Sequence, residues 1–387
     1  MRIGIDVRCL SEGRRTGVEE YATNILENLF QMDSVNEYIL FFNSWKKTKV
    51  DFSNFTRYSN VTLKKFSYPN KFLNFLFWYL QWPKVDQLLG GVDIVFFPNI
   101  IFGSVSRKAK FITTIHDLSF ERYPEYFSWK RRLWHVFVNP GKICRRADAV
   151  IAVSDSTKTD IVNLYKISPK KIHPIHSAVS DKFRKVDRND VNLIRVKEKY
   201  ALPFKFILFL GTIEPRKNIG ALVRAYGELK KWAKEENIEE VDRYKLVIAG
   251  EKGWLSEKIF SEIENSKFKD QIQVINYVDD GDKEYVYNLA SLFVYPSFFE
   301  GFGFPPLEAM KCGVPVISSN NSSIPEVVGS AGVLIDPDRS EEIFQSMKMI
   351  LEDGKMRENL MKEGFQKSME FDWKKTARAV LDVFNVV

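Results

Sequence analysis

The chain has 387 residues, of which 45% are hydrophobic and 28% are charged, and its formal net charge is +7. This is an ordinary globular composition, and it excludes a low-complexity chain. Cys9, Cys144 and Cys312 are odd in number and widely spaced, without neighbours at metal-ligand intervals, which favours free thiols. A chain of this length usually exceeds one compact core, so two domains are expected.

The amino-terminal residues, Met1–Asp6, include charged side chains and lack the apolar core of a signal peptide. The most apolar stretch, Phe72–Leu80, is too short to span a bilayer. The protein is therefore expected to be made and kept in the cytoplasm.

Short apolar runs alternate with helix-like segments in the first half of the chain. Predicted strands are Arg2–Val7, Glu37–Phe42, Asp93–Phe97, Lys110–Ile115 and Ala149–Val153. The segment Gly17–Phe30 is predicted to be a helix. This alternation predicts a parallel sheet with helices on both faces.

The segment Lys71–Pro83 is short and aromatic, and it lies near the cations Lys64, Lys65 and Lys84. A helix of this kind could lie in a membrane interface. It is apolar almost all round, however, and such helices are more often buried. Core packing is the favoured interpretation, with membrane contact or a groove for a lipid-linked acceptor as the alternatives.

Positive charge is concentrated in the first half, because residues 1–172 carry 26 Lys and Arg against 16 Asp and Glu. The clusters 107–110, 130–132 and 145–146 could meet nucleic acid, anionic lipid or a phosphorylated ligand. No helix-turn-helix, zinc or RNA-recognition signature accompanies them, which disfavours nucleic acid. A solvated basic face and a membrane-facing role remain as equal alternatives.

The strand and helix alternation restarts after Pro203 and predicts a second sheet of the same kind. Predicted strands are Phe204–Leu210, Lys245–Ala249, Gln271–Ile275, Leu292–Tyr295, Val314–Ser318 and Gly332–Ile335. The charged segment Asp181–Lys199 is expected to be the junction between two Rossmann-like halves. The predicted fold class is therefore α/β.

His116 ends a predicted strand, and Asp117 follows it directly. A lone histidine at a strand end is more often structural than catalytic, although Asp117 could orient the ring.

The segment Arg14–Tyr21 contains a glycine turn that opens the first helix. It lacks the Gly-x-Gly-x-x-Gly pattern of a dinucleotide site.

The first strand of the second half is followed by Gly211, the adjacent cations Arg216 and Lys217, and an apolar-periodic helix. Amide donors, the helix dipole, a guanidinium group and an ammonium group would point to one place, where a diphosphate fits. Ligands of open α/β sheets bind where strands end. A phosphate site is therefore favoured over an exposed charged turn.

Glu300 and Glu308 flank a turn of glycine, aromatic and proline residues that opens a helix. Gly301 and Gly303 allow backbone amides to approach a ligand closely, and Pro306 suits the first position of a helix. Glu308 is then expected in the first helical turn. The arrangement predicts a site for a polyhydroxylated ligand, and the plainer alternative is two glutamates of which one complements the helix dipole.

The stretch Phe298–Met310 closely resembles the Glu-x7-Glu motif of retaining glycosyltransferases with the GT-B fold, family GT4. Leu210–Gly220 is similar to the family's glycine and Glu-Pro-Arg-Lys-Asn segment. Thr113–Leu118, Ala147–Ser154 and the turn at Gly17 resemble its N-terminal motifs. The resemblance covers nearly the whole chain.

Family resemblance implies two Rossmann-like domains that face each other across a deep cleft. An N-terminal, acceptor-side domain is expected at 1–185, a linker at 186–203, and a C-terminal domain that binds a nucleotide sugar at 204–368. The final segment, 369–387, is expected to be a helix that packs back on the N-terminal domain.

Site residues are implied in three groups. The resemblance implies catalytic roles for His116, Arg216, Lys217 and Glu300. It implies donor contacts for Gly17, Gly211, Arg216, Lys217, Gly250, Val278, Glu300, Gly301, Phe302, Gly303, Phe304, Leu307 and Glu308. On the acceptor side it implies Asp117 and Ser154.

In the implied mechanism, Glu308 accepts the ribose hydroxyls, and Glu300 holds the transferred sugar. Arg216 and Lys217 hold the diphosphate, where negative charge develops as the glycosidic bond breaks. The resemblance implies retention of anomeric configuration, and a lysozyme-like pair of carboxylates is the disfavoured alternative. No Asp-x-Asp stands at a strand end beside this site, so neither a metal ion nor a cofactor is expected.

The expected partners are a nucleotide-sugar donor and a glycan or lipid-linked saccharide acceptor, without nucleic acid; peripheral contact with an anionic membrane stays open. The opening Ile5-Asp6-x-Arg8 resembles a mannosyltransferase-like subgroup that makes surface polysaccharides, which favours GDP-mannose. A UDP- or dTDP-sugar fits the same residues. A sugar-nucleotide epimerase, a glycogen synthase-like enzyme and a non-catalytic scaffold remain as alternatives, and a dinucleotide oxidoreductase is disfavoured.

Overall fold

The chain forms two compact units. The computed structural model describes residues 1–12, 16–45 and 50–387. The first unit comprises Met1–Arg122, Trp129–Ala178 and Asp372–Val387, and the second comprises Tyr123–Ser128 and Val179–Phe371. Arg14 and Arg15 of the predicted glycine turn lie outside the described residues.

The sheet of the first unit is entirely parallel across its described strands. Its strands are Arg2–Asp6 (β1), Glu37–Asn43 (β2), Val61–Phe66 (β3), Ile94–Phe97 (β4), Lys110–Ile115 (β5), Ala149–Ala152 (β6) and Ile172–Pro174 (β7). Their order is β3-β2-β1-β4-β5-β6-β7. The interior strands β4 and β6 are apolar and wholly buried, as expected where helices cover both faces of a parallel sheet.

The second unit repeats this arrangement with another parallel sheet. Its strands are Phe206–Leu210 (β8), Lys245–Ala249 (β9), Ile272–Ile275 (β10), Leu292–Tyr295 (β11), Val316–Ser319 (β12) and Val333–Ile335 (β13). Their order is β10-β9-β8-β11-β12-β13. Strands β9 and β10 are added on one side of β8, and β11, β12 and β13 on the other. The switch point therefore lies between β8 and β11, which is where ligands of such sheets bind.

Helices connect the strands. In the first unit they are Gly17–Met32 (α1), Ser53–Thr56 (α2), Asn70–Phe75 (α3), Val85–Leu88 (α4), Ser119–Arg122 (α5), Trp129–Val138 (α6), Pro140–Arg146 (α7) and Asp155–Tyr165 (α8). In the second they are Val191–Lys199 (α9), Ile219–Glu235 (α10), Glu239–Asp242 (α11), Glu257–Glu264 (α12), Lys283–Leu289 (α13), Phe304–Lys311 (α14), Ile324–Val328 (α15), Ser340–Glu352 (α16) and Gly354–Ser368 (α17). Trp373–Val386 (α18) belongs to the first unit.

Helix α1 begins at a capping box. The amide of Glu19 donates to the hydroxyl of Thr16 at 3.3 Å, and the amide of Thr16 donates to the Glu19 carboxylate at 3.1 Å. These two bonds satisfy amides that the first helical turn leaves without a partner. The C-terminal helix α18 packs against α1 and β4, through Trp373 on Tyr21 and Phe384 on Phe96.

Apolar runs predicted most strands to within about two residues, but two edge strands were not predicted. Strand β3 alternates apolar and charged side chains, and β7 is only three residues long. Both lie at the ends of the first sheet. An edge strand is partly solvated and therefore lacks the continuous apolar run that marks a buried parallel strand.

The charged segment predicted as a linker, 186–203, lies within the second unit and contains helix α9. Arg195 pairs with Asp282 at 2.8 Å, and Lys199 pairs with Asp279 and Asp282 at 2.6 and 2.5 Å. The charges of this segment are thus used to hold the helix on the second unit. The structural division falls near residue 178 instead of 185.

The prediction that the aromatic segment 71–83 packs in the core is wrong for most of its side chains. Leu73 and Phe77 are buried and Leu76 is half-buried, whereas the remaining large apolar side chains are exposed. The exposed ones are Phe72, Phe75, Trp78, Tyr79, Leu80 and Trp82. Only the face of the short α3 and the π-helical turn Leu76–Leu80 that carries Leu73 and Phe77 is buried.

In the part of the chain that the structure describes, none of the helices combines the length and the hydrophobicity that a bilayer crossing requires.

Candidate active site

Three side chains with predicted catalytic roles meet in the second unit, at the carboxyl ends of β8 and β11. The Lys217 ammonium lies 2.6 Å from one carboxylate oxygen of Glu300, and the Arg216 guanidinium lies 3.2 Å from the other. Glu300 and Lys217 are buried, and the side chain of Arg216 is 14% exposed. The cluster is therefore a desolvated set of charges with one cation at its edge.

Local sequence brings the two cations to this place. After β8 the chain forms a 3₁₀ turn, Pro215–Lys217, and Asn218 then takes φ of +55° before helix α10 begins. Asparagine tolerates this left-handed conformation better than most residues. The turn directs both cations toward β11, and the amide of Phe298 donates to the carbonyl of Arg216 at 2.9 Å.

Further polar groups complete the cluster. Arg216 donates to the carboxylate of Glu214 at 2.9 Å, and to the carbonyl of Phe299 at 2.5 Å. Lys217 donates to the hydroxyl of Tyr295 at 2.6 Å. The hydroxyl of Ser297 donates to Glu300 at 2.6 Å. Two carboxylates thus balance two cations, as buried charges require.

The electrostatic environment keeps Glu300 ionised. Burial alone raises the pKa of this carboxyl, but Lys217, Arg216 and the bond from Ser297 outweigh burial and lower the pKa to about 2. Burial and the Glu300 charge raise the pKa of the Tyr295 phenol. At neutral pH, Glu300 is a carboxylate that can accept hydrogen bonds and cannot act as a proton donor.

The loop that carries Glu300 is anchored by two serines. The backbone amide of Glu300 is held in place, because it donates a hydrogen bond to the hydroxyl of Ser322 at 2.9 Å. The hydroxyl of Ser323 donates to the carbonyls of Glu300 and Phe302 at 2.9 and 2.8 Å. Gly303 has φ of +110°, and a side chain there would meet Ile324 at 2.8 Å. Glycine is therefore required at Gly303.

Glu308 lies in helix α14, but it does not lie in the first turn, where the sequence analysis had predicted it. The helix begins at Phe304, so Pro306 is its third residue and Glu308 its fifth. The Tyr287 hydroxyl donates to the Glu308 carboxylate at 2.8 Å. Burial lowers the pKa of Lys283, but the charge of Glu308 and other anions reverses this and raises it. Glu308 is thus a buried, ordered acceptor on the same unit.

Gly211 and Gly250 follow the ends of neighbouring strands β8 and β9. The amide of Gly211 donates to the carbonyl of Ala249 at 2.9 Å. Gly250 has φ of +152°, and a β-carbon there would lie 1.9 Å from the Gly211 carbonyl oxygen. No side chain fits at Gly250, so the backbones of the two strand ends approach closely. Val278, after β10, is buried.

His116 belongs to the first unit, at the carboxyl end of β5. Its Nε2 lies 2.8 Å from the carbonyl oxygen of Pro98. A carbonyl only accepts, so this nitrogen carries the proton. The ring also packs edge-on against Tyr21 at 4.7 Å. Burial lowers the pKa of His116, so the imidazole is neutral at neutral pH.

Asp117 does not orient the His116 ring, contrary to prediction. Its carboxylate accepts from the amide and the hydroxyl of Ser119, at 2.9 and 2.6 Å. The chain uses Asp117 to begin helix α5, and the Pro98 carbonyl orients the ring instead.

Gly17 and Ser154 stand at helix starts in the first unit. Gly17 is the first residue of α1 and is exposed. Ser154 is fully buried and caps α8, since the amide of Thr157 donates to its hydroxyl at 3.0 Å. The donor role of Gly17 and the acceptor-side role of Ser154 stay predictions.

Comparison with known proteins identifies the family. The family model described as Glycosyl transferases group 1 matches residues 190–367, and the one described as Glycosyltransferase Family 4 matches residues 15–183. The O-antigen chain mannosyltransferase B of Escherichia coli is 33% identical over 282 residues, which is 73% of this chain and 71% of that protein. The chain belongs to glycosyltransferase family 4.

Two further similarities extend this result. The glycosyltransferase is 33% identical over 277 residues to the serotype-specific mannosyltransferase WbdA of Escherichia coli, and this match spans 33% of WbdA. Its fold is similar to sucrose-phosphate synthase of Thermosynechococcus elongatus, with a TM-score of 0.74, 17% identity and coverage of 99% and 98% of the two chains. The predicted GT-B fold of two Rossmann-like domains is confirmed.

Sequence reasoning about this glycosyltransferase did not assign three polar members of the cluster. Glu214 stands in the recognised Glu-Pro-Arg-Lys segment, so its position beside two cations was a usable signal. Tyr295 and Ser297 lie at the end of an apolar strand, where nothing in the local pattern indicates that a hydroxyl faces the carboxylate.

Proposed function

We propose that this glycosyltransferase transfers a mannosyl residue from GDP-mannose to a saccharide or lipid-linked acceptor of a surface polysaccharide, with retention of anomeric configuration and without a metal ion. The observation that carries the proposal is the buried cluster of Arg216, Lys217 and Glu300 at the switch point of the second sheet. Mannose is supported by two relatives, each named as a mannosyltransferase.

The donor diphosphate is assigned to the two cations. Arg216 is the partly exposed member of the cluster, so an incoming phosphate meets its guanidinium first. Phosphate oxygens would take over hydrogen bonds that Arg216 now donates to the Phe299 carbonyl and the Glu300 carboxylate. Guanidinium groups bind phosphate in this manner because their donors form a planar fork.

The same cations act during bond cleavage. As the bond between the sugar and the diphosphate breaks, negative charge grows on the leaving diphosphate. Arg216 and Lys217 are already held in place by Glu214 and Glu300, so they need little reorganisation to stabilise this charge. Charge neutralisation by these side chains is the reason that we propose metal-independent transfer.

Glu300 is assigned to the hydroxyls of the transferred sugar. Burial raises the pKa of Glu300, but the neighbouring cations outweigh burial and lower the pKa to about 2. Glu300 therefore cannot serve as a general acid. This supports a substrate-binding role over a lysozyme-like acid role. The buried carboxylate of Glu308 is assigned to the ribose, Gly211 to the diphosphate, and Gly250 and Val278 to the surroundings of the base.

His116 is assigned to the transferred sugar on the basis of the family resemblance. The neutral ring, with its proton on Nε2, offers Nδ1 as a hydrogen-bond acceptor. A neutral imidazole suits contact with a sugar hydroxyl better than a cation would.

The experiment that tests this function measures transfer from a panel of donors. The full chain is incubated with GDP-mannose, UDP-glucose, UDP-N-acetylglucosamine or a dTDP-sugar, together with a mannose-terminated glycolipid, with and without EDTA. We expect transfer from GDP-mannose alone, undiminished by EDTA, and an α-anomeric product by NMR.

Each part of the proposal has its own contradicting outcome. Transfer from another nucleotide sugar would contradict mannose as the transferred sugar but would leave the proposed glycosyl transfer in place. A β-anomeric product would contradict retention, and loss of transfer in EDTA that added Mg²⁺ restores would contradict metal independence. Isomerisation of the donor without an acceptor would replace the transferase by an epimerase.

A further inference from the structure

An exposed aromatic patch lies on the first unit, formed by Phe75, Trp78, Tyr79, Trp134 and Phe137. Their exposed fractions range from 38% for Trp134 to 68% for Tyr79. Four of its members are in contact, because Phe75 stacks on Tyr79 at 5.7 Å and Trp78 lies 6.3 Å from Phe75 and 5.1 Å from Phe137. Trp134 lies one turn before Phe137 on α6. It joins the turn after α3 to helix α6. Contiguous exposed apolar surface of this kind marks an interaction site.

A cavity of about 480 Å³ opens beside this patch. Trp78 and Phe137 belong to both. The other aromatic side chains that line the cavity are Phe77, Phe97, Phe102 and Phe111. This volume lies within the range of about 300–1,000 Å³ that is usual for ligand pockets. None of the residues predicted for the glycosyl-transfer site lines it, so it is a separate feature of the first unit.

The charged residues that line the cavity are all cations: Lys84, Arg107, Lys142 and Arg146. Lys84 donates to the Ser104 hydroxyl at 2.8 Å, and Arg146 donates to the Ser106 carbonyl at 2.7 Å. Arg107 and Lys142 are exposed. Apolar walls with cations at the margin match a hydrocarbon chain that carries an anionic head group.

Aromatic and basic residues continue around the patch. Trp129, Lys130 and Arg132 lie on helix α6 and are exposed, as are Lys71 and Trp82 on the neighbouring segment. Tryptophan and tyrosine favour the interface between water and a bilayer, and lysine and arginine are attracted to anionic lipid. Charge complementarity therefore favours a lipid surface over a second protein as the occupant.

We propose that the aromatic patch docks on an anionic phospholipid bilayer, and that the cavity takes one acyl chain of a phospholipid whose phosphate contacts Arg107 and Lys142. The inference deepens the proposed function, since it rests on that function for the reason why a bilayer is the partner: a lipid-linked acceptor would be reached there. It concerns residues outside the glycosyl-transfer site.

The first test measures binding of the full chain to vesicles of phosphatidylcholine, alone or mixed with phosphatidylglycerol, by sedimentation. We expect binding only when phosphatidylglycerol is present. Arg107→Ala with Lys142→Ala should weaken it about 25-fold, at about fivefold per cation. Lys231→Ala with Lys258→Ala is the matched control, because both lysines are exposed on the second unit, and it should bind as the wild type does.

The aromatic side chains are tested separately. Phe75→Ser with Tyr79→Ser should reduce vesicle binding at least tenfold. Phe204→Ser removes an 82% exposed aromatic side chain from the second unit and should change nothing. Equal losses in the control and test variants would show unspecific attraction and overturn the proposal.

The cavity is tested with a soluble probe, monomeric dihexanoyl phosphatidylglycerol, by calorimetry. We expect one saturable site, which glycerol phosphate does not occupy. Val105→Trp, which fills the cavity from its lining, should abolish that site, and Ile101→Trp serves if the first variant melts early. Undiminished lipid binding by a folded variant with a filled cavity would show that the acyl chain binds elsewhere and would overturn this part of the proposal. Clearly tighter binding of a polyprenyl phosphate would make the cavity a site for the acceptor lipid instead.

GDP-mannose binding by the same samples separates the two proposals. Wild-type protein that binds the nucleotide sugar but no vesicle overturns the docking inference and leaves the proposed function. Protein that binds vesicles through the patch but binds no nucleotide sugar overturns the proposed function and leaves docking intact.

Discussion

The two sheets share one strand progression, yet the chemistry at their carboxyl ends differs. In the second unit, strand ends β8 and β11 carry the buried ion-pair cluster of Glu300, Arg216 and Lys217. In the first unit, the end of β5 carries His116, a neutral ring held by a carbonyl. A shared strand order thus carries a buried charged cluster across two strand ends in the second unit. In the first unit, the end of β5 carries a neutral ring, and the buried charges of Asp6 and Arg8 pair with each other at the end of β1.

The difference shows that the connecting loops determine the site. Both sheets bury apolar strands between helices, which is a requirement of packing and leaves the loops free to vary. In the second unit a proline turn and a glycine-rich turn bring opposite charges together. Disrupting either turn of the second unit should therefore lower activity and stability more than a comparable substitution in the first unit.

The largest expected effect follows from removing both cations. Arg216→Ala with Lys217→Ala should lower kcat/KM at least about 10³-fold, because each group is a donor to developing negative charge and such donors are worth about 10²–10³ in kcat. The variant also leaves Glu300 buried without either cation, which should cost about 3–5 kcal/mol of unfolding free energy. Steady-state kinetics and urea unfolding measure the two losses.

A third substitution separates catalysis from folding in that variant. Adding Glu300→Gln removes one of the two unpaired charges and leaves that of Glu214, so it should restore part of the stability but none of the activity. Lys231→Ala, on an exposed position of α10, is the control and should change neither. Near wild-type transfer by the folded double variant would contradict the phosphate assignment.

The close approach of two strand ends predicts the next effect. Gly250→Ala places a β-carbon 1.9 Å from the Gly211 carbonyl oxygen in a conformation that alanine rarely adopts. The backbone must move, so we expect a loss of about 3 kcal/mol or more. Gly227→Ala is the matched control, because Gly227 lies in α10 and nothing is within 4 Å of its added β-carbon.

Gly227→Ala should instead stabilise the chain by about 0.5–1 kcal/mol, since glycine is a poor helix former. Thermal unfolding of the two variants provides the comparison. Similar melting temperatures for both would show that the strand ends do not approach as closely as described.

A smaller effect is expected from one hydroxyl group. Tyr287→Phe removes the hydrogen bond to the Glu308 carboxylate, and hydrogen bonds to charged groups contribute about 1.5–3 kcal/mol. We expect weaker binding of the nucleoside diphosphate by about tenfold, measured by calorimetry. Tyr226→Phe, which removes a buried hydroxyl bonded to the Tyr244 carbonyl, should lower stability without changing nucleotide affinity.

The smallest effect is a difference in how acid affects the two units. Burial lowers the pKa of His135, on α6, from 6.5 to about 4, so the unfolded chain binds the proton more readily. Its contribution to stability is complete above pH 6.5 and is lost as pH falls toward 4, by at most about 1.4 kcal/mol per pH unit. Glu300, whose pKa is lowered from 4.5 to about 2, contributes above pH 4.5 and loses its contribution only as pH falls toward 2.

Between pH 6.5 and 5, hydrogen exchange should therefore accelerate in the first unit before the second. His135→Phe keeps the ring that stacks on Phe120 at 3.8 Å and should reduce this difference. Equal acceleration in both units would contradict the assignment.

Local sequence predicted the α/β class and most central strands, because a buried parallel strand needs a continuous apolar run. The family resemblance, and not the local pattern, implied that Arg216, Lys217 and Glu300 share one site, although Glu300 is far from the two cations in the chain. Local sequence could not predict the exposed side of segment 71–83, since an all-round apolar helix is compatible with both a core and a surface position. Only the tertiary structure, which buries Leu73 and Phe77 and leaves most of the segment exposed, decides between them.

What the sequence by itself determined is therefore most of the strands, the family and the identity of the charged groups. The tertiary structure decided their partners: Glu300 binds both cations, Tyr295 meets Lys217, and Asp117 serves Ser119 instead of His116. Apolar periodicity is local and can be read along the chain. Which polar atoms meet depends on backbone positions many residues apart, and those positions exist only after the sheets have packed.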